Sequence, residues 1–272
     1  MAIILTMHES NDRSSGSITW KQKGRLKMND TQKVAIVTGA SRGIGRAVAA
    51  RLAREGFAVA VNYASNQAEA AKVVEEIENT GGKAIAVQAD VSKTADVARL
   101  FDETEKAFGG VDVLVNNAGI MAIKPIVEFD DETFDRIFAI NVRGTFNTMK
   151  QGAKRIRRGG RIINFSTSVT PLTLPGYAPY SASKAAVEVL TTHLTKELRG
   201  RNVAVNTVAP GPVATELFLD GKTPEQVDRL AKLNPFERLG QPDDIANVVA
   251  FLAGPDGVWV NGQTLRANGG MV

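Results

Sequence analysis

The chain of 272 residues contains no cysteine and only two histidines, His8 and His193. Missing thiols exclude disulfides, thiolate nucleophiles and cysteine-ligated zinc, and two distant histidines cannot build a three-histidine metal centre. No metal is expected, and His193 reads as a helix-surface residue. A cysteine-free chain suits a reducing compartment, so a cytoplasmic location is the expectation. Long apolar runs are missing too: Gly, Asp, Asn or Arg interrupts every candidate before the roughly 18 residues that a bilayer span needs. No membrane association is expected. Aromatic residues make up 6% of the chain, and its basic residues are scattered without aromatics between them, so the net charge of +4 does not point to nucleic acid. One run, Lys154-Arg155-Ile156-Arg157-Arg158, is locally dense. It reads as a solvated helix end whose cations complement the helix dipole, with a docking patch for an acidic partner as the other reading.

What is present is ordinary for a globular protein, with 43% hydrophobic and 23% charged residues. Residues 1–30 are polar and Ser-rich with no sustained period, and are expected to form a disordered extension. The apolar start Ile3-Ile4-Leu5 lacks a preceding basic region, which argues against a secretory signal, and Met28 is a candidate initiation site. Over residues 31–272, short β-branched runs alternate with helical segments. The runs are Val34 to Val37, Val59 to Val61, Ala84 to Val87, Val113 to Val115, Ile162 to Phe165, Val203 to Val208 and Thr264 to Leu265. Helices are expected around Ile44 to Glu55, Gln67 to Asn79, Ala95 to Phe108, Asp131 to Ile156, Ala182 to Leu198 and Asp243 to Leu252. That alternation predicts one α/β domain, a doubly wound, seven-stranded parallel sheet with helices on both faces.

The segment Thr38-Gly39-Ala40-Ser41-Arg42-Gly43-Ile44-Gly45 follows the first strand and opens the first helix, where a nucleotide pyrophosphate sits in a Rossmann-type fold. Gly39 permits the tight turn, Gly43 lets backbone N–H groups approach phosphate, and Gly45 lets helix and sheet pack closely. The spacing Gly-x-x-x-Gly-x-Gly resembles the classical short-chain dehydrogenase/reductase family. An NAD enzyme usually presents a carboxylate after the second strand to hold the ribose 2′-hydroxyl, but this sequence reads Asn62-Tyr63-Ala64-Ser65-Asn66. An uncharged pocket with Arg42 nearby accepts a 2′-phosphate instead, so NADP(H) is expected ahead of NAD(H). Ala64 stands where many NADP-dependent relatives carry Arg.

Tyr180 and Lys184 are four apart at the start of a helix, so both lie on one face. A phenol with an ordinary pKa near 10 works as an acid and base only if its anion is stabilised, and a neighbouring ammonium does that. The resemblance implies further roles. It makes Asp90-Val91 an adenine-flanking pair, sets Asn116-Asn117-Ala118-Gly119 in the nucleotide cleft, and has the Asn141 backbone support a water chain to the lysine. It places Pro210, Gly211, Val213 and Thr215 beside the nicotinamide, with a mobile lid over Glu216 to Leu233. It also implies a hydroxyl before the tyrosine that holds the substrate oxygen. Ungapped spacing falls on Thr167; Ser168, one residue nearer Tyr180, is chosen because the less hindered hydroxyl is the family's usual choice.

The resemblance covers Lys33 to Val272 and implies a homo-oligomer, commonly a tetramer. The expected function is hydride transfer between nicotinamide and a small carbonyl or alcohol substrate. Three alternatives stand beside it: a 3-oxoacyl-carrier-protein reductase whose basic Lys154 to Arg161 region meets acyl carrier protein, a polyol or naphthol-type reductase, and a non-catalytic NADP-binding redox sensor.

Overall fold

The β-branched runs do become strands, and they assemble in an order that leaves a crevice at one place. The computed structural model describes residues 32–272; the expected disordered extension over 1–30 and the candidate start at Met28 lie outside the described residues. Seven strands, β1 (Val34–Val37), β2 (Ala58–Tyr63), β3 (Lys83–Gln88), β4 (Val111–Asn116), β5 (Ile156–Phe165), β6 (Ala204–Pro210) and β7 (Thr264–Ala267), form one sheet in the order β3-β2-β1-β4-β5-β6-β7. Every neighbouring pair is parallel. The chain winds outward from β1 to β3, then crosses back to place β4 on the other side of β1. At that reversal the connections after β1 and β4 leave in opposite directions, and a cleft opens beyond the strand ends.

Alternate residues of each buried strand feed opposite cores. Ala35 and Val37 of β1 pack with Val59, Val61, Val113 and Val115, under α1 (Gly43–Arg54) and α2 (Gln67–Asn79). Ile36, Ala60 and Leu114 face the other way, toward α3 (Thr94–Phe108) through Val97, Leu100 and Phe101.

The segment expected as one helix from Asp131 to Ile156 is three pieces in continuous succession. These are α4 (Asp131–Phe138), a wider π-type stretch (Ala139–Gly144) and α5 (Thr145–Arg155). Past α5 the basic run changes character, because the helix stops at Arg155 and β5 begins at Ile156. The expected solvated helix end is instead a set of braces. Arg155 pairs with Asp102 and Glu105 on α3, Arg157 pairs with Asp112, and Arg158 donates to the Gly200 carbonyl.

The remaining helices are α6 (Val169–Leu172), α7 (Ala178–Glu197), α8 (Glu216–Leu219), α9 (Pro224–Ala231) and α10 (Pro242–Ala253). His193 is exposed on α7, as expected. Among the described residues no helix is long and apolar enough to cross a membrane, and no group of three or more His, Asp or Glu side chains is placed to hold a metal.

Candidate functional site

Two connected recesses lie beyond the strand ends. The first is a groove of about 490 Å³ between the turn after β1, the tip of β2 and the turn after β4. Gly39, Ser41, Arg42, Gly43, Ile44 and Gly45 form one wall; Asn62, Tyr63, Ala64 and Ser65 form the far end; Asp90, Val91, Asn117, Ala118 and Gly119 line the floor. Gly39 takes φ of 61°, a left-handed conformation that favours glycine. At Gly45 the constraint is space: a Cβ would lie 2.3 Å from the Gly39 carbonyl oxygen and 2.5 Å from Asn117 Nδ2. The turn after β4 is tied to the glycine turn by Thr38. Its hydroxyl accepts from the N–H groups of Asn117 and Ala118, while Asn117 Nδ2 donates to the Thr38 and Gly39 carbonyls.

At the far end the structure departs from the sequence expectation. The Asn62 side chain is committed to bracing, since Oδ1 accepts from Gly39 N–H and Nδ2 donates to the Val87 and Ala89 carbonyls. Tyr63 is buried in the core shared by α1 and α2. The Asn62 amide is therefore not a free donor for a ribose phosphate, whereas Tyr63 still lines the groove. No acidic side chain takes their place on β2. Asp90 also works locally, its Oδ1 accepting from Ser92 N–H and hydroxyl.

The second recess, a mostly apolar cavity of about 140 Å³, joins the groove at Ile44, Asn117, Gly119, Thr215 and Leu217. Tyr180 and Lys184, one turn apart near the start of α7, both line it. Lys184 is buried, its Nζ donates to the Phe165 carbonyl at 3.0 Å, and it stands 5.9 Å from the centre of the Tyr180 ring. Burial pulls the Lys184 ammonium down to about 8. Burial pushes the Tyr180 hydroxyl up to about 12, opposed by a hydrogen bond with Thr167. Desolvation, which disfavours the anion, is thus the largest effect on Tyr180, and Lys184 is not among the groups that lower it, contrary to the sequence expectation.

The two adjacent hydroxyls separate cleanly. Thr167 faces Tyr180. Ser168, the residue chosen from the sequence, also lines the cavity, but its hydroxyl is engaged: it donates to the Ala209 carbonyl at 3.1 Å and accepts from Asn268 Nδ2 at 2.9 Å. Residue spacing alone pointed to Thr167; nothing in the sequence announces that Asn268 claims Ser168.

Asn141 sits in the π-type stretch, fully buried. Its side chain clamps Ile120, accepting from the N–H and donating to the carbonyl, and also donates to Ser183 Oγ. Its backbone carbonyl accepts from the Thr145 hydroxyl. Lys184 is close by: a Cβ added to Gly119 would lie 3.2 Å from Asn141 Oδ1 and 3.3 Å from Lys184 Nζ. Sequence reasoning missed a polar chain beneath the site, in which Asn116 donates to Asn164, Asn164 to Thr191, and Thr207 also to Thr191. These residues are ordinary strand and helix positions until the sheet brings them together.

Pro210, Gly211, Val213 and Thr215 line the cavity wall opposite α7. Gly211 N–H donates to Ala267, Val213 bridges to Gly240, and the Thr215 hydroxyl accepts from Phe218 N–H as the cap of α8. Leu217, Phe218 and Leu230, from α8 and α9, cover the cavity together with Met271, a residue that no motif marks. Beyond Met121, Leu174, Tyr177, Leu217 and Leu230 the cavity widens into a recess of about 740 Å³.

Comparison with known proteins places this architecture. A family profile described as enoyl-(acyl carrier protein) reductase matches residues 39–272. The chain is 48% identical over 250 residues to a short-chain type dehydrogenase/reductase of Picea abies, covering 88% of this chain and 92% of that protein. It is 47% identical to an NADPH-dependent aldehyde reductase-like protein, chloroplastic, of Arabidopsis thaliana, covering 88% and 94%. The solved structure of the angucycline C-6 ketoreductase LanV with bound NADP superposes with a TM-score of 0.84 at 40% identity, covering 88% of this chain and 95% of that one.

Proposed function

This chain belongs to the classical short-chain dehydrogenase/reductase family, and on that premise we propose that it is an NADP(H)-dependent reductase of small, largely apolar aldehydes or ketones. The observation that carries the proposal is the meeting of Tyr180, Lys184 and Thr167 in one apolar cavity that opens into the glycine-lined groove. The groove suits a dinucleotide, because the close-packed glycine turn opens α1 at its wall and Arg42 brings a cation where the tip of β2 brings no acid. When bound, the nicotinamide supplies the hydride.

The chain's own residues supply the rest. Tyr180, held protonated by burial, gives its proton to the carbonyl oxygen. An alkoxide is a far stronger base than a phenolate, so the transfer runs downhill. Thr167, in place of Ser168, holds that oxygen and then the phenolate left behind. Lys184 remains cationic near neutrality despite its burial and stabilises that anion. Asn141 is a positioning residue that fixes Ile120 and the helix facing Lys184. Leu217, Phe218 and Leu230 keep water from the reacting carbon.

The carrier-protein alternative is less favoured because Arg155 and Arg157 are paired with carboxylates within the fold, which leaves Lys154 and Arg158 as the exposed cations of that run. Exposed apolar side chains, among them Phe146 on α5, Val189 on α7 and Trp259 near the C-terminus, favour a homo-oligomer, with a tetramer proposed; a monomer by light scattering would reject it. The test of function is a panel of aldehydes and ketones with NADPH and NADH in parallel. Faster turnover with NADPH on apolar carbonyls is expected. Tight NADPH binding without turnover of any carbonyl would replace this reading with the redox sensor.

A further inference from the structure

The glycine turn and the lid are joined by one ion pair. Arg42 Nη1 stands 2.9 Å from Glu216 Oε2, across 174 residues of sequence, and the side chains are 67% and 76% exposed. Arg42 immediately precedes α1, and Glu216 is the first residue of α8; both line the dinucleotide groove. Among the described residues, the only other cation lining the groove is Arg136, which comes from α4. Arg42 is therefore the one formal positive charge that the turn itself offers to a ribose phosphate, and in this structure a carboxylate already holds it.

We infer that Glu216 is a specificity-setting residue that competes with a 2′-phosphate for Arg42 and so limits the preference for NADP(H) over NAD(H). The inference rests on the cofactor reading above. A guanidinium whose charge is already partly neutralised by a carboxylate attracts a second anion less strongly, so a 2′-phosphate draws the full benefit of Arg42 only if the Glu216 contact is given up. A ribose hydroxyl makes no such demand. Because the pair is exposed and solvated, it exchanges easily and its worth is small: about 1 kcal/mol at most, or about fivefold in affinity. Direct repulsion of the phosphate by the Glu216 charge is the rival explanation, and the two are separable, since only competition needs Arg42 to be present.

The experiment is equilibrium binding of NADPH and of NADH, followed by cofactor fluorescence, to the full chain and to Glu216→Gln, Arg42→Ala and the double variant. Glu216→Gln is expected to tighten NADPH by about threefold to fivefold and leave NADH unchanged. Arg42→Ala is expected to weaken NADPH alone, and adding Glu216→Gln to it is expected to restore nothing. Equal tightening of both cofactors, or a gain on NADPH that persists in the Arg42→Ala background, overturns the inference, because repulsion or a general change would then account for it. Failure of NADPH to bind the wild type sinks the cofactor reading and this inference together. Tight wild-type binding with an unchanged value for Glu216→Gln sinks this inference alone.

Discussion

Thr167→Val and Ser168→Ala each delete one hydroxyl from adjacent residues, and their surroundings predict opposite consequences. Thr167 faces Tyr180, so its hydroxyl is the one available to a substrate oxygen and to the phenolate formed after proton transfer. Hydrogen bonds to charged groups contribute about 1.5–3 kcal/mol, so losing one that strengthens as charge develops lowers kcat/KM by about tenfold to a hundredfold. Valine keeps the branched shape, and the only other bond lost is the 3.2 Å contact from Val169 N–H. Ser168→Ala acts elsewhere. It strips a buried partner from Asn268 Nδ2 and removes a donor to the Ala209 carbonyl. An unsatisfied buried group costs about 1–3 kcal/mol, which lowers Tm by about 2–10 °C in a domain of this size. Steady-state kinetics beside thermal unfolding separates the two: Thr167→Val loses rate and keeps its Tm, whereas Ser168→Ala loses Tm and keeps its rate. A Ser168→Ala enzyme that melts like the wild type but turns over tenfold more slowly would refute the assignment.

Two further perturbations follow from the same geometry. Gly45→Ala drives a methyl into the Gly39 carbonyl and Asn117 Nδ2, so the turn must open; a stability loss of about 1–3 kcal/mol and weakened NADPH binding are expected, and unchanged cofactor affinity would contradict the tight turn. Because burial lowers Lys184 to about 8, its ammonium is present below that pH and lost above it. Since kcat/KM for NADPH reports the free enzyme, it is expected to fall as pH rises through about 8, while Tyr180, near 12, stays protonated throughout. A profile that stays flat up to about pH 10, the range of an ordinary lysine, would contradict the lowered Lys184 value.

Much of the fold was legible because its causes are local. All seven strands fall on the β-branched runs, and the glycine turn and the Tyr180–Lys184 pair sit where their spacing put them. What escaped depends on partners far away in sequence. Thr167 and Ser168 are adjacent, yet the partner that engages the Ser168 hydroxyl is Asn268, 100 residues away. Asn62 read as a groove donor, but its amide is taken up by the Gly39 N–H and the Val87 and Ala89 carbonyls, which lie on other elements. The break at Ala139–Gly144 was invisible because helix and π-type stretch continue one another without interruption. The basic run read as solvated because its acceptors, Asp102, Glu105 and Asp112, belong to other elements.

The central claim is that Tyr180 delivers the proton in an NADP(H)-dependent carbonyl reduction. Its most direct test is a single-turnover measurement of NADPH oxidation by a saturating apolar aldehyde, comparing the wild type with Tyr180→Phe at equal cofactor occupancy. Removing a general acid costs about a hundredfold to ten-thousandfold, and a loss of that size with NADPH affinity unchanged is the predicted result. A Tyr180→Phe enzyme that oxidises bound NADPH at close to the wild-type rate would contradict the account.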